Sequence, residues 1–236
     1  MPVATKAALE DLLRARRLQA DAPPLRGVTR SRPLPTGIAP LDALLAGGFP
    51  RGQLSEIYGP ASSGRTGIAL ALLAHATRRG ALAAWVDPAD RLDPGSADAA
   101  GVDLARLLWL RGDTRAPGGR ALADAVSAVG TLLGSGLFEA VVLDLAGIPA
   151  SDRCRLPGAT WIRLQRSVEA TTAALVLLGD AHVAYGPGGV TLALAAGRPS
   201  WSGAPGPGRL LRGLGVVAGA GRHATRDVAF ELHAVD

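Results

Sequence analysis

Gly59-Pro60-Ala61-Ser62-Ser63-Gly64-Arg65-Thr66 stands between an apolar run, Leu54 to Tyr58, and a stretch of helix formers, Arg65 to Arg79. A glycine-rich turn that joins a strand to a helix gathers backbone N–H groups at the positive end of the helix, where they can face phosphate oxygens. The octapeptide departs from the phosphate-loop pattern G-x-x-x-x-G-K-[ST] only in carrying Arg65 where lysine is usual. Gly59 and Gly64 supply the turn, Ser62 and Ser63 lie inside it, and Thr66 puts a hydroxyl where Mg²⁺ would be held. Arginine keeps the charge, but a wide planar guanidinium does not slip between β- and γ-phosphates as a compact ammonium does. Nucleotide binding is therefore expected to outlast turnover; a glycine-rich turn without a ligand is the alternative.

Outward from this turn, short apolar runs alternate with helical stretches, the pattern of parallel strands with helical crossovers. Strands are predicted near Leu54 to Tyr58, Leu82 to Asp87, Leu107 to Leu110, Ala140 to Asp144 and Ala174 to Leu178. Helices are predicted at Arg65 to Arg79, Arg120 to Leu133 and Trp161 to Thr171. Leu214 to Val217 and Asp227 to Leu232, around the Gly219 and Gly221 turn, predict an antiparallel hairpin at one sheet edge, and the Gly/Pro-rich Gly197 to Gly208 a mobile loop. The fold class is thus α/β, a mostly parallel central sheet flanked by helices. At the other end, residues 5 to 19 read as an amphipathic helix with Leu9, Leu12 and Leu13 on one side and Arg14, Arg16 and Arg17 crowding its end. Pro23, Pro24, Pro33 and Pro35 keep the next stretch extended. The expected division is an N-terminal helix and arm, residues 1–33, and a core, residues 34–236.

A chain of 236 residues with 48% apolar content suffices for one large α/β domain with a short appendage and excludes a long multidomain enzyme. The net charge of +5 rests almost wholly on arginine, Lys6 being the lone lysine. Asparagine is absent and alanine abundant, a bias that resembles a high-GC genome, so arginine in place of lysine is partly a compositional habit. Positive charge sits at both chain ends around a slightly acidic middle, which predicts weak, salt-sensitive, sequence-independent binding of single-stranded DNA. No apolar run approaches a membrane span, and the lone Cys154 rules out an internal disulfide. A soluble cytoplasmic protein with no membrane partner is expected. His75, His182, His223 and His233 lack ligand spacing, so no zinc site is expected.

Four segments carry a resemblance: Pro35-Thr-Gly-Ile-Ala-Pro-Leu-Asp-Ala-Leu-Leu-Ala-Gly-Gly-Phe-Pro-Arg-Gly52, Glu56-Ile-Tyr-Gly-Pro-Ala-Ser-Ser-Gly64, Arg91-Leu-Asp-Pro94 and Gly101-Val-Asp103. Consecutive and in order, they resemble bacterial RecA, closely from Leu34 to about Asp144 and more loosely to Asp180. The resemblance implies a RecA-like P-loop NTPase core with ATP or ADP and Mg²⁺ as cofactor. It also implies Asp144 as the Walker B aspartate that orients the Mg²⁺ shell with Thr66, and Asp93 as a contact to adenine, with Ser96 where the stacking aromatic would stand. The chemistry departs from the pattern. In Asp87-Pro88-Ala89, alanine takes the place of the glutamate that activates water. Asp90, one residue on, is expected to point elsewhere. No catalytic residue is assigned.

The two loops with which RecA reads single-stranded DNA shrink here to Gly147–Gly158 and His182–Gly189, and the glutamine that couples nucleotide to DNA falls near Gly179-Asp180-Ala181. Arg153 and Arg155, then Trp161, Arg163 and Arg166, mix cations with an aromatic as a single-strand groove would. Alternatively Trp161 packs in the core and the arginines form a solvated face. This pattern of losses is similar to the ImuA family, RecA-like accessory factors of bacterial SOS mutagenesis. That family implies a non-polymerase member of a translesion complex with three partners: RecA, the Y-family-like ImuB, and an error-prone DnaE-type polymerase. On this resemblance Leu9, Leu12, Leu13, Arg14, Arg16 and Arg17 dock on a RecA-fold neighbour; otherwise their helix covers the apolar edge of its own domain. Two further readings stay open: a divergent RecA-family ATPase in recombination mediation, and a cell-division inhibitor similar to SulA.

Overall fold

The computed structural model describes residues 6–19, 32–113, 115, 119–184, 188–195, 197–221 and 227–233. Five apolar runs become the parallel strands β1 (Gln53–Tyr58), β2 (Leu82–Asp87), β3 (Leu107–Arg111), β4 (Phe138–Asp144) and β5 (Ala174–Gly179). They are joined by β6 (Thr191–Leu194), β7 (Arg198–Ser202), β8 (Leu210–Ala220) and β9 (Asp227–His233) in one sheet. The order is β3-β2-β4-β5-β1-β6, all parallel, after which β8 runs antiparallel to β6. Along one edge β8 meets first β7 and then β6, and along its other edge it pairs with β9.

Alternation along each strand sends side chains to two separate cores, as the two-residue period of a strand requires. Ala174, Val176 and Leu178 join the cluster under α3 (Arg65–Arg78), with Ile57, Trp85, Ile68 and Leu72. Leu175 and Leu177 join the opposite cluster under α5 (Arg120–Ser135) and α7 (Thr160–Glu169), with Leu132, Leu164 and Val168. Because both faces are covered, these strands read as continuous apolar runs rather than alternating ones.

The N-terminal helix α1 (Lys6–Gln19) packs beside α5, with Leu9 and Leu13, one helical turn apart, buried in the second cluster. Leu9 and Leu13 are therefore part of this chain's own core and are not presented to a neighbour. Leu12 is 45% exposed and Arg14 lies outside with it; the side chains of Arg16 and Arg17, and most of the predicted arm, fall outside the described residues. On either side of the short helix α2 (Ala39–Leu44), Leu34 and Phe49 exchange backbone bonds of 2.7 and 2.8 Å. Gly48 sits at φ +126, and a Cβ there would come 2.2 Å from the Leu34 carbonyl oxygen, so only glycine allows this closure.

The segment predicted as a mobile loop needs correction. Arg198 to Ser202 is strand β7, paired with β8, and the Gly/Pro content matters only in the turn that follows, where Arg209 N–H returns to the Gly206 carbonyl at 3.1 Å. Pro199 is tolerated at its position because β7 has a partner along only one edge. No described helix is long and apolar enough to cross a membrane.

Candidate nucleotide site

The loop between β1 and α3 lies where the central strands end. Ser62 (φ +59) and Gly64 (φ +91) adopt left-handed conformations, and alternating backbone of this kind turns successive N–H groups toward one concavity. A Cβ on Gly64 would come 2.6 Å from Val216 Cγ2, so glycine is required there by packing as well as by conformation. The C-terminal strands thus brace the loop from the side, and Gly197 N–H donates to the Ser62 carbonyl at 3.2 Å. Ser63 is fully buried, and its hydroxyl has no partner among the described residues.

Arg65, which takes the lysine position, turns back toward the strand ends. Its Nη1 donates to the Gly59 carbonyl and, at 3.1 Å, to the Gly179 carbonyl, while Nη2 lies 2.7 Å from Asp180 Oδ1. Asp180 Oδ2 accepts from Gly147 N–H at 2.8 Å. Burial works against ionisation of Asp180, but the Gly147 N–H and the Arg65 charge outweigh it and hold the carboxyl below its usual range. One guanidinium therefore ties the loop to the end of β5, and through Asp180 to the segment after β4. The sequence signal for this contact is topological: β1 and β5 are neighbours, so a residue just past each strand end faces the other.

A cleft of about 220 Å³ adjoins the loop, lined by Arg65, Thr66, Trp85, Arg91, Asp93 and Asp144 among others. Burial pushes the Asp144 carboxyl up to about 6, and Asp87 adds like charge, while the Ala146 N–H (2.9 Å to Oδ1) and the cations Arg65 and Arg91 pull the other way. Thr66 and Asp144 share this cleft, so the residues suited to hold Mg²⁺ beside a nucleotide are brought together. Asp93 is otherwise engaged. Its Oδ2 accepts from Ser96 N–H (2.8 Å) and Ser96 Oγ (2.6 Å), bonds that lower its pKa and cap the short helix α4 (Pro94–Ala99). Ser96 therefore closes a helix cap where a base-stacking ring would stand.

Asp87 and Asp90, at the end of β2, do not line the cleft. Asp90 sits at φ +54 and grips Arg111 with both oxygens, at 2.6 and 2.7 Å, and that guanidinium lies 4.7 Å over the Trp109 ring. Asp87 is fully buried and takes the N–H groups of Arg91 and Leu92 and Nε1 of Trp109 on one oxygen. Both carboxylates serve the architecture of the β2 end. The residues present fit a bound nucleotide with Mg²⁺, but the attacking water has no base at Ala89 or Asp90.

Of the four candidate DNA-binding arginines, two are engaged within the chain and two are exposed. Arg153, at the end of the short helix α6 (Ala150–Arg153), donates to the Ile148 carbonyl at 2.5 Å, Arg155 lies 3.8 Å from Asp152, and Arg163 and Arg166 are exposed on α7. Trp161 is half-buried and packs one side against the second core. The reason is the helix period, which places Trp161 beside the buried stripe of Thr160, Leu164 and Val168. One buried acid carries no signal in the sequence. Glu56 accepts from Val183 N–H at 2.7 Å, Ala184 N–H at 3.2 Å and His182 Nδ1 at 2.5 Å, and the His182 ring stacks on Tyr58 with centroids 5.5 Å apart. It anchors the segment that leaves β5 past Asp180.

Residues 28–152 match the RecA N-terminal domain family. Over 112 residues the chain is 46% identical to protein RecA of Symbiobacterium thermophilum, covering 47% of this chain and 30% of the relative. It is 46% identical over 110 residues to protein RecA of Rubrobacter xylanophilus, covering 46% and 30%. With protein RecA of Lactobacillus delbrueckii subsp. bulgaricus the figures are 41% over 117 residues, 49% and 33%. The match thus spans about a third of the length of these curated relatives. The phosphate loop, the strand order around it and this match together place the chain in the RecA N-terminal domain family.

Proposed function

We propose that this chain is a RecA-like accessory factor of SOS-induced translesion synthesis, of the ImuA kind. On this reading it docks on RecA and on an ImuB and DnaE-type polymerase complex, holds ATP or ADP with Mg²⁺, turns nucleotide over very slowly or not at all, and binds single-stranded DNA weakly. The observation that carries the reading is the fate of Arg65, whose guanidinium is bonded to Gly59, Gly179 and Asp180 beside a cleft that lacks a base at Ala89. A fold that retains its phosphate loop while diverting the loop's cation suits a docking platform better than a motor.

The test is nucleotide turnover and titration on the wild type and on Arg65→Lys combined with Ala89→Glu, alongside capture of RecA and ImuB by the wild type. Saturable nucleotide binding without turnover, together with capture of both partners, is expected. Brisk hydrolysis by the purified wild type would overturn the reading. The second reading, a divergent RecA-family ATPase, draws on Thr66 and Asp144 sharing one cleft. It requires hydrolysis that disappears in Thr66→Ala.

A further inference from the structure

We propose that Asp180 is a built-in counter-anion for the phosphate loop, a specificity-determining residue that occupies Arg65 and keeps di- and triphosphates from using it. A guanidinium has five N–H donors in a fixed plane. In Arg65, Nη1 serves two carbonyls and Nη2 serves the Asp180 carboxylate at 2.7 Å, with the Arg65 side chain only 10% exposed. A phosphate that sought this cation would have to break that pair or sit against it, with the Asp180 carboxylate beside its own negative charge. Asp144, facing the same cleft, adds a further acid on the same side.

Asp180 does more than neutralise. Its second oxygen holds Gly147 N–H at 2.8 Å, so the loop, the end of β5 and the segment after β4 are drawn together by groups of the chain itself. In a phosphate loop that waits for its ligand, the anion supplies this cohesion. Here a side chain supplies it, and the loop is organised before any nucleotide arrives. The other guanidinium on the cleft, Arg91, makes one long side-chain bond, 3.5 Å to the Ala146 carbonyl, and is the cation left to meet an incoming phosphate.

Inorganic pyrophosphate is the probe, since it isolates the phosphate subsite from base and sugar. Asp180→Asn keeps a carbonyl oxygen for Gly147 N–H while removing the charge. Its affinity for pyrophosphate should rise about tenfold or more, the scale expected when a like charge a few ångströms away is deleted near a protein surface. The gain should vanish when Arg65→Met is added, because it runs through Arg65. Millimolar pyrophosphate should raise the thermal midpoint of Asp180→Asn well beyond any rise it causes in the wild type. A wild type that pyrophosphate stabilises as strongly as the variant would overturn the proposal, and so would a folded Asp180→Asn with no gain. Should Asp180→Asn fail to fold, Arg65→Met decides the matter: it should leave pyrophosphate affinity as it is in the wild type, and a tenfold loss in folded Arg65→Met would overturn the proposal. The inference rests on the reading of a loop that binds without turnover. Steady hydrolysis by the wild type would sink that reading, while unchanged pyrophosphate affinity would sink only this one.

Discussion

Asp144 shows how burial at the end of a strand moves the titration of a carboxylate. Its carboxyl is pushed up from 3.8 to about 6, first by burial and then by the nearby Asp87 charge, with Arg65 and Arg91 opposing. Between these two values the folded chain holds a proton on Asp144 that the unfolded chain has released, so this contribution to stability is complete below about pH 4 and lost as the pH rises through 6. A rise of that size corresponds to at most about 3 kcal/mol. Asp144→Asn keeps an acceptor for Ala146 N–H without the charge. In metal-free buffer its urea midpoint should be nearly flat from pH 4 to 7, while the wild type declines over that range and falls below the variant above pH 6. A wild type whose stability rises steadily from pH 4 to 7 would contradict this assignment. Position 144 itself was legible in the sequence, because an aspartate at the end of an apolar run is a local pattern. The Arg65 to Asp180 contact was not, since it joins residues far apart in sequence and depends on β1 and β5 being neighbours.

Among the elements, α1 separates what periodicity can decide from what it cannot. Leu9, Leu12 and Leu13 lie on one side of a helical wheel, but the wheel does not say whether that side meets another molecule or the chain's own α5. The structure buries Leu9 and Leu13 at 5% exposure each and leaves Leu12 at 45%. Leu13→Ala should therefore cost about 2–4 kcal/mol in urea unfolding, as a core truncation does. Leu12→Ala should change stability by under about 0.5 kcal/mol. If α1 also takes part in docking, Leu12 and Arg14 are presented among its described side chains, and Leu12→Glu should weaken capture of a partner without moving the urea midpoint. Equal destabilisation by Leu12→Ala and Leu13→Ala would show that α1 packs differently. Strands β1, β2, β4 and β5 were readable because both faces of each are covered, which writes a continuous apolar run into the sequence, whereas the four-residue parallel strand β6, less completely buried, was not predicted. Strand β7 was hidden by its neighbours, because the glycines and prolines of the following turn dominate the composition of the segment around Arg198–Ser202.

For the whole molecule, the net charge of +5 sets the scale of any contact with nucleic acid, and the structure divides that charge among many sites. Arg51, Arg65, Arg106 and Arg111 are paired with acids, and Arg51 also holds the Thr172 carbonyl, so these cations are committed to the fold. Arg163 and Arg166 stand exposed on α7, and Arg209 lies 5.4 Å from the exposed Trp201 ring on the far side of the sheet order. Scattered cations of this kind neutralise few phosphates at once, because a single strand cannot follow them all. The logarithm of the association constant for oligo(dT) should therefore fall with the logarithm of salt concentration at a slope of only about −1 to −3, at roughly 0.7 per phosphate neutralised on a single strand. Replacing both Arg163 and Arg166 by alanine should reduce that slope by about one to two and weaken binding to all sequences alike. A slope steeper than about −5 would mean that the cations meet in one continuous groove, and a slope of zero would remove the electrostatic account of binding altogether.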